Sequence, residues 1–312
     1  MRVLAGAAAL VVPCALARAQ APAEELRTAG ADEEPDFQVD SAASGGWYSL
    51  AYPPGSPSTH GNREALSMSL TAFEVPLRDD DSPYTLQPFM QRESSFTLSF
   101  SGGRFDTTNP YGGVDRTEWN AGIGASFDAY LKRWLAVFGG ASYGYFDLHD
   151  VDVAQTGHTF SASAGAGIRY GNTRVNLSGG GAVDRTAGAF GSWRRNLTLS
   201  AFSVIRRRVG VNVSGTLVQG GEEGSVDVEV YPTKGTGVFA SAFAGRYEPY
   251  SDPIFVTRYV GSVGFAGWFD ATTALVGQYS LLDETDPATS SVTIGYRQLS
   301  HTLSIEAYFR FR

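Results

Sequence analysis

An antiparallel, membrane-spanning β-barrel of twelve to fourteen strands is the fold class this chain predicts, on three observations along residues 93–312. Apolar side chains recur at every second position, as in Phe96-Thr-Leu98-Ser-Phe100 and from Phe160 to Tyr170. A period of two places alternate side chains on opposite faces of a strand. The runs are about ten residues long, the length a tilted strand needs to cross a bilayer. Their connections alternate between tight and longer, as in a barrel with turns at one membrane face and loops at the other.

Taken in chain order, Met1-Arg2 precedes an apolar run from Val3 to Ala17, and small residues offer cleavage after Ala17 or Ala19. Residues 1–19 therefore read as a secretory signal peptide, too short and wrongly flanked for a spanning helix. Cys14 follows Val-Val-Pro, which lacks the small residue that lipid attachment prefers before the cysteine. It is the one cysteine of the chain, so the exported form is expected to hold no disulfide, thiolate metal site or cysteine nucleophile. Formal charge is −8, or −10 without residues 1–19, and no basic run is present, so nucleic acid is not an expected partner. No later run approaches about eighteen consecutive apolar residues, so the spanning elements are not helices.

Residues 20–63 read as a disordered leader, acidic around Ala31-Asp-Glu-Glu-Pro-Asp and turn-rich from Tyr52 to Thr59. Too few apolar residues occur there to offset the entropy of ordering. Such a leader is a solvated linker, a periplasmic tether or a plug. Residues 64–92 are ambiguous. Leu66, Met68 and Leu70 alternate, but the register is lost at Ala72-Phe73, and Asp79 to Pro83 is a turn by composition. Pro88 opposes a central strand, leaving either a first strand or a segment across the barrel mouth.

Strands are then expected near 94–102, 117–131, 134–146, 158–170, 174–184, 194–206, 208–219, 224–232, 237–248, 255–269, 273–282, 291–297 and 301–311. Glycines, β-branched residues and the two-residue period all oppose helix. This count is odd, whereas single-chain bacterial barrels have even numbers. Adding 64–76 gives fourteen, and dropping 291–297 gives twelve. Charge follows the connections: the tight turns carry Lys132, Arg133, Arg174, Arg206, Arg207, Arg208, Lys234 and Arg297, while several longer loops are acidic.

The outward set includes Trp119, Ile123, Phe127, Phe160, Ile168, Val213, Leu217, Val263 and Phe265. Trp119, Tyr143, Tyr145, Tyr170, Tyr247, Phe269 and Phe309 near strand ends form aromatic girdles at headgroup level. The C-terminal run Leu303-Ser-Ile305-Glu-Ala307-Tyr-Phe309-Arg-Phe311-Arg312 alternates to an aromatic almost at the end. On these features residues 93–312 resemble the bacterial outer-membrane β-barrel class, in architecture and not through a family motif. The resemblance implies export to the outer membrane, contact with its lipid and lipopolysaccharide, and recognition of the last strand by the barrel-assembly machinery. It fixes no oligomeric state.

Opposite the apolar set lie small and polar residues, such as Asn120, Gly122, Gly124, Ser126, Ser161, Ser163, Asn176 and Ser178. Eight-stranded barrels fill with their own side chains and barrels of sixteen or more hold an aqueous channel, so twelve to fourteen allow a narrow lumen. Asp128, Arg169, Asp227, Glu229, Glu306 and Arg310 are the candidate lumen-lining charges. They either bias the solutes of a passive pore or form salt bridges that close a structural or surface-interaction barrel.

No cofactor is implied, and neither a catalytic nor a metal site is assigned. The spacing of Gly165, Gly167 and Gly171 has no following helix to present to a phosphate. Asp147-Leu-His149-Asp150-Val-Asp152 in a longer loop is the third functional reading, a surface hydrolase in which His149 activates water, or a Ca²⁺ loop. Neither has a full set of partners in the sequence.

Overall fold

The computed structural model describes residues 36–51, 59–73, 94–108, 116–132, 134–150, 153–186, 189–190, 193–206, 208–247, 256–270, 272–286 and 296–311. Among them, all regular structure is β-strand: β1 (Asp36–Ala51), β2 (Thr59–Phe73), β3 (Ser95–Thr108), β4 (Arg116–Lys132), β5 (Leu135–Asp150), β6 (Val153–Tyr170), β7 (Thr173–Thr186), β8 (Ala189–Phe190), β9 (Arg194–Ile205), β10 (Val209–Val218), β11 (Gly221–Thr233), β12 (Thr236–Tyr247), β13 (Val256–Trp268), β14 (Thr273–Asp286) and β15 (Tyr296–Phe311).

β8 is a two-residue ladder on the end of β7, so fourteen long strands form the wall. Each pairs antiparallel with its chain neighbours, and β7 pairs with β9 past β8. β1 then pairs with β15 in unbroken register from Val39↔Phe311 to Ala51↔Leu299, which closes the ring. Closure gives the backbone groups of every long strand partners on both sides, the condition for crossing a hydrocarbon layer with strands. With a strand spacing of about 4.8 Å and a tilt of about 40°, fourteen strands set a backbone radius of about 14 Å.

Residues 36–51 and 59–63 were expected in a disordered leader and are instead strand, so the barrel begins at Asp36 and not at residue 93. The outward positions of β1 are Val39, Ser41, Ala43, Gly45 and Trp47, and the three between Val39 and Trp47 are too small to announce an alternation. Ladders to β2 and β15 hold this strand, not its own apolar residues. Residues 59–73 resolve the ambiguity at 64–92 in favour of a strand over that part, while 74–92 lie outside the described residues, as do the expected signal at 1–19 and the leader through residue 35. Residues 296–297 of the expected strand 291–297 and the expected strand 301–311 run together as β15, while 291–295 lie outside the described residues.

The strands are longer than the apolar runs, up to the eighteen residues of β6. They continue past the apolar band into polar sequence, so the described parts of the expected loops 103–116 and 147–157 are the paired ends of β3, β4, β5 and β6. Both chain ends of the barrel lie together at Val39↔Phe311. That end carries the tight turns 171–172, 206–208, 234–235 and 269–272 and also the long connection between β2 and β3. The other end carries 52–58, 109–115, 187–193, 248–255 and 287–295, with short connections at 151–152 and 219–220. These are called here the turn end and the loop end.

Turn chemistry supports the tight connections. Gly171 has φ 56°, the left-handed conformation a two-residue hairpin turn requires. Asp270 Oδ1 accepts from the backbone N–H groups of Thr272 (2.7 Å) and Thr273 (2.8 Å) and from the Thr272 hydroxyl (2.7 Å). These bonds hold the Asp270 carboxyl below the usual aspartate range.

Candidate functional site

The alternation sorts side chains onto two faces with different chemistry. The outer face presents large apolar groups along the wall, among them Leu66, Phe100, Ile123, Leu177, Leu199, Val263 and Ile305, all exposed. An exposed apolar band this continuous is the signature of a lipid-facing surface. The inner face is organised in three levels.

At the turn end, two arginines on opposite walls anchor clusters of aromatic and acidic residues. Arg310 of β15 donates from Nε to Asp40 Oδ1 on β1 (2.9 Å) and from Nη2 to Tyr308 Oη (2.7 Å). Its guanidinium lies 5.5 Å from the Trp268 ring, which meets Tyr308 edge-on at 5.4 Å. Ala42 and Ala274 leave room for these rings. Across the lumen, Arg174 of β7 donates to Asp128 Oδ2 on β4 (2.6 Å) and to Tyr130 Oη (3.1 Å), with its guanidinium 5.4 Å from the Phe138 ring.

To reach β4, Arg174 crosses β6 and β5, and the two glycines of β6 make this possible. A Cβ on Gly167 would sit 2.8 Å from Arg174 Nε, and one on Gly165 would sit 2.6 Å from Phe138 Cζ. These are the glycines whose spacing resembled a phosphate loop, and here they form the floor under an arginine.

The middle level is neutral and built from small residues. Hydroxyls bond between neighbouring strands: Ser142 with Ser161 (2.7 Å), Ser214 with Ser225 (2.8 Å), Ser241 with Ser262 (2.6 Å) and Thr198 with Thr216 (3.0 Å). Between the middle and the turn end, Asn212 Nδ2 donates to Asp227 (3.2 Å) and Tyr231 Oη donates to Glu229 (3.0 Å).

At the loop end, Arg258 Nε donates to Glu284 Oε2 at 2.6 Å, and Tyr247 Oη donates to the same oxygen at 3.2 Å. Arg258 and Glu284 are register partners on β13 and β14. Each of these ion pairs joins strands of one wall: β15 to β1, β13 to β14, and β7 to β4. None of the three crosses the lumen. Inward rings lie flat in the same way, as Phe239 does over Gly264.

All six candidate lumen charges occupy inward positions, on the parity opposite to the exposed apolar groups. The structure gives them different roles. Asp128 and Arg310 are members of the two arginine clusters. Arg169 is buried and donates from Nε to the carbonyl oxygen of Gly171 (3.0 Å). Asp227, Glu229 and Glu306 are partly exposed to the lumen. Arg174 and Asp40 were missed, because one was placed on a tight turn and the other in the leader. Arg258 was passed over, and Glu284 was assigned to a loop. Continuing the two-residue period into the charged strand ends is the signal that finds them.

Tyr247, expected in an outer girdle, faces inward, because β12 carries Phe239 and Phe243 on its inner face and alanines on its outer face. Arg297, expected in a tight turn, lies in β15 and pairs with Asp283 (2.6 Å) at the loop end. His149 is at the loop end of β5 on the outer face, 3.3 Å from Asp147 Oδ2 and well exposed. The side chain of Asp150, and Asp152, lie outside the described residues.

A closed barrel of fourteen antiparallel strands with an apolar outer band and a polar inner face is the architecture of outer-membrane β-barrels. No protein-family model matches the chain, and no curated protein is similar to it in sequence. Solved structures share its fold. A FadL homologue of Pseudomonas aeruginosa superposes with a TM-score of 0.53 over 88% of this chain and 90% of that one, at 10% identity. The monoaromatic hydrocarbon channel CymD superposes with a TM-score of 0.52 over 88% of each chain, also at 10% identity.

Proposed function

We propose that this barrel is a passive pore for small solutes in the bacterial outer membrane. The observation that carries the reading is the middle level of the inner face. Serine, threonine and glycine side chains cannot fill a cylinder with a backbone radius of about 14 Å, so water occupies it. The arginine pairs and the Phe239 ring support the same reading, since they lie along the wall and leave the axis free. In this reading the apolar band contacts lipid and lipopolysaccharide, and β15 is the strand that assembly machinery recognises. The likeness in fold to CymD, named as a monoaromatic hydrocarbon channel, is compatible with transport, and the neutral hydroxyl level here favours hydrophilic solutes.

Liposome swelling tests the proposal. Vesicles containing the folded barrel are expected to admit small neutral sugars, faster for smaller ones. Vesicles that exclude even the smallest sugar, with the barrel folded, would overturn it.

A further inference from the structure

We infer that the lumen prefers cations, and that Asp227, Glu229 and Glu306 set this preference. The inference rests on the pore reading above and adds the charge class of the permeating solute. Two independent features of the inner face carry it.

The first is the balance of charge. Among the described residues, five inward arginines are matched one for one by inward carboxylates, as Arg174 is by Asp128, Arg194 by Asp184 and Arg310 by Asp40. Beyond those couples the inner face carries Glu223, Asp227, Glu229 and Glu306 against Arg169. The excess is negative however the groups are paired. A lumen of this width places its axis roughly one Debye length, about 8 Å at physiological salt, from the side chains, so the excess is only partly screened there. Low-dielectric walls focus that field along the axis.

The second is which charges meet the water. Arg174, Arg258, Arg310 and Arg169 are 5%, 7%, 6% and 7% exposed, packed against rings or the strand backbone. Arg194 is the exposed exception, paired with Asp184 at the loop end, so an anion in the lumen meets mostly covered guanidinium groups. Glu223 is exposed and Asp227, Glu229 and Glu306 are partly so, so a cation finds carboxylate oxygens at the lumen surface. Rings of such carboxylates favour cations in water-filled pores. Asp227 and Glu229 occupy successive inward positions of β11, about 7 Å apart along the strand. Glu306 faces inward from β15, four strands further round the wall.

The test is a reversal potential in a planar bilayer holding the purified barrel under a tenfold KCl gradient. The wild-type potential is expected on the K⁺ side of zero. In the triple variant Asp227→Asn, Glu229→Gln, Glu306→Gln, the K⁺/Cl⁻ permeability ratio is expected to fall at least about twofold. A conducting wild type with a ratio at or below one would overturn the inference while leaving the pore intact, as would an unchanged ratio in a conducting triple variant. A folded wild type without conductance would overturn the pore reading, and this inference with it. If the triple variant does not fold, the three single variants carry the test, each expected to lower the ratio. No change in any of them counts against the assignment.

Discussion

Arg174 shows how much a single side chain contributes to this wall. It satisfies Asp128, Tyr130 and Asn176 together and covers the Phe138 ring, while being almost buried itself. Removing one partner of a buried ion pair leaves the other charge uncompensated, which typically costs about 3 kcal/mol or more. Arg174→Ala is therefore expected to destabilise the folded barrel by about 3 kcal/mol in urea unfolding from lipid vesicles, followed by tryptophan fluorescence. Gly167→Val, which forces a branched side chain into the path of Arg174, is expected to lower the unfolding midpoint as well. A wild-type midpoint in both would show that the cluster has no structural weight.

Asp270 gives a pH-dependent counterpart at the turn end. Its folded carboxyl binds a proton less readily than the unfolded one, so its contribution is fully present above the ordinary aspartate value of about 3.9. The contribution is lost as pH falls through the lowered folded value. The stability gap between wild type and Asp270→Ala is expected to be constant near neutrality and to close on acidification. A gap that widens on acidification would contradict the assignment.

Among the strands, β1 carries the largest consequence for its modest sequence. It is the strand that turns a thirteen-strand sheet into a closed ring, and its ladder to β15 is reinforced inside the lumen by Asp40 and Arg310. Deleting residues 36–51 leaves β2 and β15 with unpaired edges, a state the hydrocarbon layer disfavours strongly. The shortened chain is expected to lose the heat-dependent gel mobility of a folded barrel, and retention of that mobility would show that β1 is dispensable. The long strands from β3 to β14 were legible because large apolar residues alternate with small ones along them, whereas the two-residue β8 lay in an expected loop. β1 was not, because its outer positions are mostly Ser, Ala and Gly. The outer ends of β3, β5 and β14 were read as loops because there both faces meet water and alternation no longer distinguishes them.

At the scale of the whole barrel, the sequence was sufficient for the class and the polarity of the two faces, while its odd count of thirteen became fourteen only with β1 and β2 and with the merging of residues 296–311 into one strand. The same period assigned six charges to the lumen. What it lacked was the lateral geometry: which arginine reaches which carboxylate depends on shear between distant strands, and on glycines that open a path across them. That geometry separates Asp128, Arg169 and Arg310, which are packed into the wall, from Asp227, Glu229 and Glu306, which are partly exposed on the inner face. It also moves Asp147 and His149 to the outer rim, away from the lumen.

The central claim is that one parity of these strands meets water inside a closed barrel and the other meets lipid. Expressed from residue 20, the chain has no cysteine, so single cysteines placed at Ser214 and Val213 report on the two faces of β10. With the barrel folded in lipid vesicles, a charged water-soluble thiol reagent is expected to label the Ser214→Cys protein and to leave the Val213→Cys protein unlabelled. Labelling at Val213, or none at Ser214, would contradict the account.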